Sequence, residues 1–172
     1  SNNTAVGRKA LYTNTTGSNN TAVGYHALDN TATANDNTAV GAFALSSTNT
    51  TASNNTAVGR NALHANTSGD LNLAVGGNAL TTNTVGDRNV AIGYNCLQTY
   101  NPGSNEDGYN TGVGLNVLSG TTTGNHNTAV GGKAMEDNTT GSYNCAFGTF
   151  ALDANTTGGY NVAVGYDALS TS

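Results

Sequence analysis

One five-residue motif, whose commonest form is Asn-Thr-Ala-Val-Gly, recurs ten times along the chain at a nearly fixed spacing. Successive motif glycines are 17 or 18 residues apart, except for one gap of 21 residues. These glycines are Gly7, Gly24, Gly41, Gly59, Gly76, Gly93, Gly114, Gly131, Gly148 and Gly165. A short fixed period of this kind predicts a stacked architecture, in which each repeat is one structural unit that packs on its neighbours.

The residue types within each repeat favour strands over helices. The position after the motif Asn is mostly Thr or Val, and the position two further along is Val, Ile or Phe. Each repeat also contains a turn rich in Asn and Gly, so no stretch of helical length lacks a breaker. We therefore predict one all-β domain over residues 1–172, a β-solenoid (parallel β-roll or β-helix) of ten coils of about 17 residues. Each coil is expected to hold two short strands and two turns.

Alternation along a strand places its first and third residues on one face. Leu73, Val90 and Cys145 replace Thr at the first position, which suggests that this face points into the coil. A small residue followed by Leu or Met forms a second apolar pair in every repeat. The predicted core is Val6, Leu11, Val23, Leu28, Val40, Leu45, Val58, Leu63, Val75, Leu80, Ile92, Leu97, Val113, Leu118, Val130, Met135, Phe147, Leu152, Val164 and Leu169. The position between the two strand residues is Ala, or Gly112, and predicts close approach by another backbone.

The motif Asn is present in all ten repeats. An amide side chain both donates and accepts hydrogen bonds, so amides stacked at one coil position can bond along the axis. We predict a structural ladder of Asn3, Asn20, Asn37, Asn55, Asn72, Asn89, Asn110, Asn127, Asn144 and Asn161.

The motif and the small-residue–Leu pair that follows it resemble the head repeats of trimeric autotransporter adhesins. They are still more similar to the repeat tracts of bacteriophage and bacterial tail-fibre proteins. The resemblance covers the chain from Asn3 to Leu169, although the period of 17 residues is longer than the autotransporter coil. It implies a parallel β-roll and three chains side by side, with the Ala or Gly position as their contact.

Composition narrows the classes of function. Only 9% of the residues are charged, and five scattered Lys and Arg against a net charge of −5 argue against nucleic acid as a partner. No apolar run approaches the roughly 20 residues of a membrane-inserted helix. His26, His64 and His126 occupy different repeat positions, so we expect isolated surface histidines, and no metal, cofactor or catalytic motif recurs. We expect no enzyme activity, no cofactor and no metal. Cys96 and Cys145, three repeats apart, predict no intrachain disulfide and two small core residues.

Two features break the repeat and are candidates for recognition. The long gap adds four residues within residues 98–108, and insertions in solenoids project as loops that often bind partners. Three tyrosines directly precede the motif Asn, where exposed aromatic rings could contact sugars. The candidate recognition residues are Tyr100, Pro102, Glu106, Asp107, Tyr109, Tyr143 and Tyr160. The alternatives are a tolerated loop and aromatic stacking between coils.

These patterns are typical of a non-catalytic structural or adhesive segment of an extracellular fibre, on a cell surface or a virion. The expected partner is the chain itself, as a homotrimer or an end-to-end filament, with a surface glycan as a further candidate. The chain shows no atypical repeats at its ends, Ser1 and Ser172, so we expect it to continue in, or stack into, a longer fibre. An ice-binding β-solenoid and a glycan-active β-helix enzyme are the alternatives.

Overall fold

The computed structural model of the chain describes residues 2–47 and 51–170, so the two terminal serines lie outside the described residues. The described residues form ten strands of three residues and no helix. The strands are β1 (Thr4–Val6), β2 (Thr21–Val23), β3 (Thr38–Val40), β4 (Thr56–Val58), β5 (Leu73–Val75), β6 (Val90–Ile92), β7 (Thr111–Val113), β8 (Thr128–Val130), β9 (Cys145–Phe147) and β10 (Val162–Val164).

All ten strands belong to one parallel sheet, in which each strand pairs with the next in sequence order. Equivalent residues of successive repeats are partners, as in Thr21 with Thr38 and Val23 with Val40. The predicted all-β solenoid is therefore confirmed. The prediction of two strands in each coil is wrong, because only the motif is extended. The rest of the coil turns through non-glycine residues with φ near +60°, such as Lys133 and Met135, which interrupts extended structure.

The inside and outside of the strand are the reverse of the prediction. The central Ala is buried in β2 to β10, or Gly112 in β7, while the predicted core residues of the strand face outward. Val6 is 58% exposed and Phe147 is 43% exposed. The same correction applies to the whole outward column: Val6, Val23, Val40, Val58, Val75, Ile92, Val113, Val130, Phe147 and Val164.

The motif Asn explains this orientation. Asn72 is buried, and alternation then points Ala74 inward and both Leu73 and Val75 outward. A shift of one residue in the assignment reverses every side chain of a strand, and the β-branched residues of the outer face have the character of core residues.

The Leu or Met of the second apolar pair forms the core as predicted in eight coils. These buried residues are Leu28, Leu45, Leu63, Leu80, Leu97, Leu118, Met135 and Leu152. In the first coil Leu11 is only partly buried, and in the last coil Leu169 is 53% exposed. Both terminal residues lack a second neighbouring coil, so the prediction of full burial is wrong for them.

Each of these Leu and Met residues has a left-handed backbone, with φ between +47° and +54°. That conformation lets two consecutive residues, such as Ala62 and Leu63, both point into the coil. A β-branched residue is strongly disfavoured there, and the ten positions contain nine Leu and Met135 but no Val or Ile.

We therefore expect Leu63→Met to be tolerated and Leu63→Ile to be costly, although Ile and Leu have the same volume. Leu63→Met should cost less than about 1.5 kcal/mol of unfolding free energy. Leu63→Ile adds backbone strain of about 1–3 kcal/mol. Thermal melts of both variants check this, and equal destabilisation by the two would contradict the left-handed assignment.

The interior is one side chain thick, and larger side chains on one side of a coil are matched by a smaller residue on the opposite side. The column opposite the strand is Ala in eight coils, but it contains Cys96 and Val117 in two adjacent coils. Beside them the strand Ala is replaced by Gly112, where an added Cβ would lie 2.5 Å from Cys96 Sγ and 3.3 Å from Val117 Cγ1. Room inside the coil therefore explains the Ala or Gly position, and the predicted contact with another chain there is wrong.

This balance predicts a coupled pair of substitutions. Gly112→Ala should destabilise the fold by about 1–3 kcal/mol through overpacking. Cys96→Ala removes the closest atom, so adding it to Gly112→Ala should recover most of that loss. A double-mutant cycle measured by urea unfolding gives the coupling energy. Additive effects of the two substitutions would show that the side chains do not compete for the same space.

The motif Asn side chains form a continuous ladder inside the stack. Asn72 Oδ1 accepts the backbone N–H of Asn89 at 2.9 Å, and its Nδ2 donates to the carbonyl of Gly86 at 2.9 Å. The Oδ1 bond to the next coil repeats from Asn3 to Asn161. Hydrogen bonds from the Asn side chains therefore join each coil to the next, in addition to the backbone hydrogen bonds of the sheet.

Candidate functional site

The outward residues of the sheet form a regular surface, which we call the strand face. It consists of the first and third residues of the ten strands, and none of them is charged. In β2 to β4 each row pairs Thr with Val. From β5 to β10 most rows are wholly apolar, and Thr111 and Thr128 supply the only hydroxyls. In-register pairing repeats the rows at the strand spacing of about 4.8 Å.

An aromatic column borders this face in the C-terminal half. It consists of Tyr109, His126, Tyr143 and Tyr160, each directly before a motif Asn. Ring centroids of successive members are 5.2, 4.7 and 5.0 Å apart, and the Tyr143 and Tyr160 rings are within 4° of parallel. The Arg88 guanidinium lies over the Tyr109 ring, with Cζ 5.9 Å from the ring centroid.

Stacking changes what the column can contact. The rings of His126 and Tyr160 stack against the Tyr143 ring, and Tyr143 is 50% exposed. Tyr160, with no following ring, is 80% exposed. The alternative interpretation, stacking between coils, therefore describes the three tyrosines, and His126 is a fourth member that the sequence interpretation missed.

Tyr100 in the insertion is a buried structural residue, so its assignment to recognition is wrong. Its side chain is 0% exposed, and its hydroxyl donates to Asn125 Oδ1 at 2.9 Å. It occupies the position that Asn83 and Asn66 hold in the preceding coils, where their amides close the turn. Burial raises the pKa of the Tyr100 phenol, and the Glu106 and Asp87 carboxylates raise it further.

The exposed part of the insertion is short. Residues 103–106 are exposed, while Pro102 and Asp107 are partly buried. Asp107 forms an ion pair with Arg88 on the neighbouring coil, and Ser104 contacts the Glu106 carboxylate. The backbone is anchored on both sides, because Asn101 donates to the Thr122 carbonyl at 2.8 Å and Asp87 donates to the Glu106 carbonyl at 2.9 Å.

Deleting residues 102–105 restores a 17-residue gap and keeps both anchors, so it should leave the fold intact. We expect a change of less than about 1 kcal/mol, since closure entropy varies by only about 0.6 kcal/mol for each doubling of loop length. Tyr100→Ala, in contrast, should cost about 3 kcal/mol because it empties a buried aromatic site. Urea titrations of both variants check this ordering, and a deletion that costs as much as Tyr100→Ala would contradict it.

The structure also brings together polar residues that the sequence interpretation treated as isolated. His26 contacts the buried Asp29 carboxylate, and His64 Nδ1 lies 2.8 Å from Ser46 Oγ in nearby coils. Phe43 connects the two histidines, with its ring centroid 5.4 Å from His26 and 6.1 Å from His64. The expectation that the histidines are isolated is therefore wrong for these two, as it is for His126 in the aromatic column.

This cluster has some of the residue types of a serine hydrolase, but a different arrangement. The serine and the aspartate contact different histidines, whereas a triad needs one imidazole between them. Ser46 is buried, and the described residues form no pocket in which a substrate could reach its hydroxyl. The His26–Asp29 contact instead lies within one turn, and the Ser46–His64 hydrogen bond connects two neighbouring coils.

The two cysteines are free and lie in different environments. Cys96 is buried in the core, and burial raises the pKa of its thiol to about 12. Cys145 is the first residue of β9 and faces outward, so the prediction of two core cysteines is wrong for Cys145. Of the residues that the structure describes, no three His, Cys, Asp or Glu side chains are placed to hold a metal ion. No helix in the described ranges could span a bilayer.

Comparisons of the chain with protein-family models, with curated proteins and with solved structures found no match.

Proposed function

We propose that this chain is a non-catalytic, rigid segment of an extracellular fibre of the tail-fibre or surface-adhesin type. The observation that carries the proposal is the uninterrupted register of ten coils, each joined to the next by the same sheet bonds and the same Asn bond. Nine coil spacings of about 4.8 Å give a rod about 43 Å long. The length of such a rod is set by the number of repeats, which suits a spacer.

The outer surface adds variability to this constant interior. Outward positions change freely between coils, as in Asn54, Leu71 and Arg88 directly before the motif. The motif Asn, in contrast, is constant, and the central strand residue is always Ala or Gly. An adhesive role, with a surface glycan as the candidate ligand, would use these outward positions and the exposed loop at residues 103–106. Location on a cell surface or virion is part of this proposal.

A tandem duplication tests the spacer role. Two copies of residues 2–170 joined with a 17-residue motif spacing should scatter X-rays as one rod of twice the length, without a bend at the junction. Two copies joined with a flexible Gly/Ser linker serve as the control and should behave as two independent rods. A duplicated chain that is as compact or as flexible as this control would contradict the proposal.

One observation favours a second candidate, an ice-binding surface. The column of Thr at the first strand position was expected to face inward. In the structure Thr21, Thr38 and Thr56 face outward in register. Thermal hysteresis of the chain measures this activity directly, and Thr38→Tyr should abolish it while Thr128→Tyr, outside the Thr-rich rows, should not. Absence of thermal hysteresis at millimolar protein would exclude this candidate. The glycan-active enzyme has no supporting observation among the described residues, which form no pocket.

A further inference from the structure

The C-terminal part of the strand face is a contiguous apolar surface whose residues are partly to largely exposed. We call the outward residues of β5 to β10 the apolar half. Ile92 is 36% exposed there, and the neighbouring Leu71 and Tyr109 are about half exposed. Contiguous apolar surface of several hundred Å² on a soluble protein marks an interaction site.

We propose that the apolar half is the surface on which a second copy of this chain packs. The inference rests on the proposed fibre function and assigns the partner surface, which lies on the outward strand residues and not at the buried Ala or Gly position.

The period of the rows is the first argument for a second copy. Partner residues are aligned one to one across each neighbouring pair of strands from β5 to β10, so ridges and grooves repeat with the coil. A partner that packs along several rows needs the same repeat to keep its side chains in the grooves, as sheets do in a steric zipper. A copy of this chain has that repeat by construction.

The charge pattern is the second argument. The apolar half contains no Lys, Arg, Asp or Glu, and the bordering Arg88 is already paired with Asp107. Two such surfaces can therefore approach without burying an unpaired charge, which would be costly. The same absence of charge gives no attraction for an anionic polymer.

The area of the apolar half determines how strongly two copies of the chain are expected to associate. Six rows at about 4.8 Å, each with five residues at about 3.3 Å from the residue before the motif Asn to the end of the strand, give a patch of roughly 29 by 17 Å. Two copies would then bury about 1,000 Å² in total, at the low end of protein interfaces, where complexes are weak. The isolated chain should therefore associate weakly, and a longer fibre with more rows should associate more strongly.

A matched pair of charge substitutions tests the assignment. Val130→Asp lies in the apolar half, and Val40→Asp lies at the same strand position among the Thr rows, where both valines are partly buried. Sedimentation velocity from about 1 µM to about 1 mM chain should show association of the parent that Val130→Asp lowers at least tenfold. Val40→Asp should retain most of it. Circular dichroism confirms that each variant is folded.

Cys145 provides an independent readout, since it lies within the apolar half and Cys96 is buried with a pKa of about 12. Alkylation of Cys145 should slow as chain concentration rises, and should not slow in Val130→Asp.

A parent that is monomeric up to about 1 mM overturns the proposal, and so does a Val130→Asp variant that associates like the parent. Equal loss in Val40→Asp overturns the placement in the apolar half. Binding of a polysaccharide or ice without self-association also overturns it. The fibre proposal itself depends on rod continuity, which the tandem duplication measures separately.

Discussion

Gly59→Ala should destabilise the chain by about 4 kcal/mol or more, through backbone strain and overpacking together. Gly59 has φ of +133°, a conformation that is essentially restricted to glycine and costs about 1–3 kcal/mol for other residues. An added Cβ would also lie 2.5 Å from the carbonyl oxygen of Gly76 and 2.6 Å from its carbon. That carbonyl belongs to the backbone of the next coil, so it cannot move without separating the coils. Urea unfolding measures the loss.

Gly165→Ala is the matched control. Gly165 has nearly the same φ, +130°, but the nearest atom to its added Cβ is the Ala168 Cβ at 4.0 Å. It should therefore show the strain alone, about 1–3 kcal/mol. The difference between the two variants isolates the contact between coils. If Gly59→Ala costs no more than Gly165→Ala, the coils are not stacked as closely as described.

The second large effect is expected at the Asn ladder. Asn72→Asp keeps the shape of the side chain but replaces its amide donor by a carboxylate oxygen that faces the Gly86 carbonyl. Asn72 is 2% exposed, so the charge would be buried without a cation. We expect a loss of about 3–5 kcal/mol at neutral pH, typical of an uncompensated buried charge. Thermal melts across pH measure it.

The pH dependence identifies the cause. Burial raises the pKa of such a carboxyl in the folded state above its unfolded value of about 3.9. Below that value both states are protonated, so the charge penalty should disappear as pH falls towards about 4 and grow as pH rises. Asn95→Asp is the control, because Asn95 is only partly buried and lies in an outer row of amides. Equal and pH-independent losses in both variants would show that the ladder is not a buried element.

Periodicity predicted the solenoid because a strict repeat leaves each coil no partner except its neighbours. It could not choose between the two faces of a three-residue strand, because Val75 and Ala74 are both compatible with a core. The buried Asn decides that choice, and a polar residue is not an obvious core marker. Two sequence features nonetheless point to the interior. No β-branched residue occurs in the Leu63 column, which is consistent with its left-handed backbone, and the single Gly of the central strand position, Gly112, coincides with the larger residues Cys96 and Val117.

The candidate recognition residues show a similar limit. Tyr109, Tyr143 and Tyr160 share a repeat position, so their column could be predicted, although the stacking of their faces depends on coil spacing. Tyr100 could not be assigned from the insertion alone, because burial of its ring depends on replacing the turn Asn of the neighbouring coils. Contacts between His26 and Asp29 likewise arise from local turn geometry.

Cryo-electron microscopy of native material that contains this chain tests the central claim, a stacked rod within an extracellular fibre. We predict thin fibres of uniform width whose averaged images show a strong axial repeat near 4.8 Å, the strand spacing. Discrete globular particles, or fibres in which this chain is present but the axial repeat near 4.8 Å is absent, would contradict it.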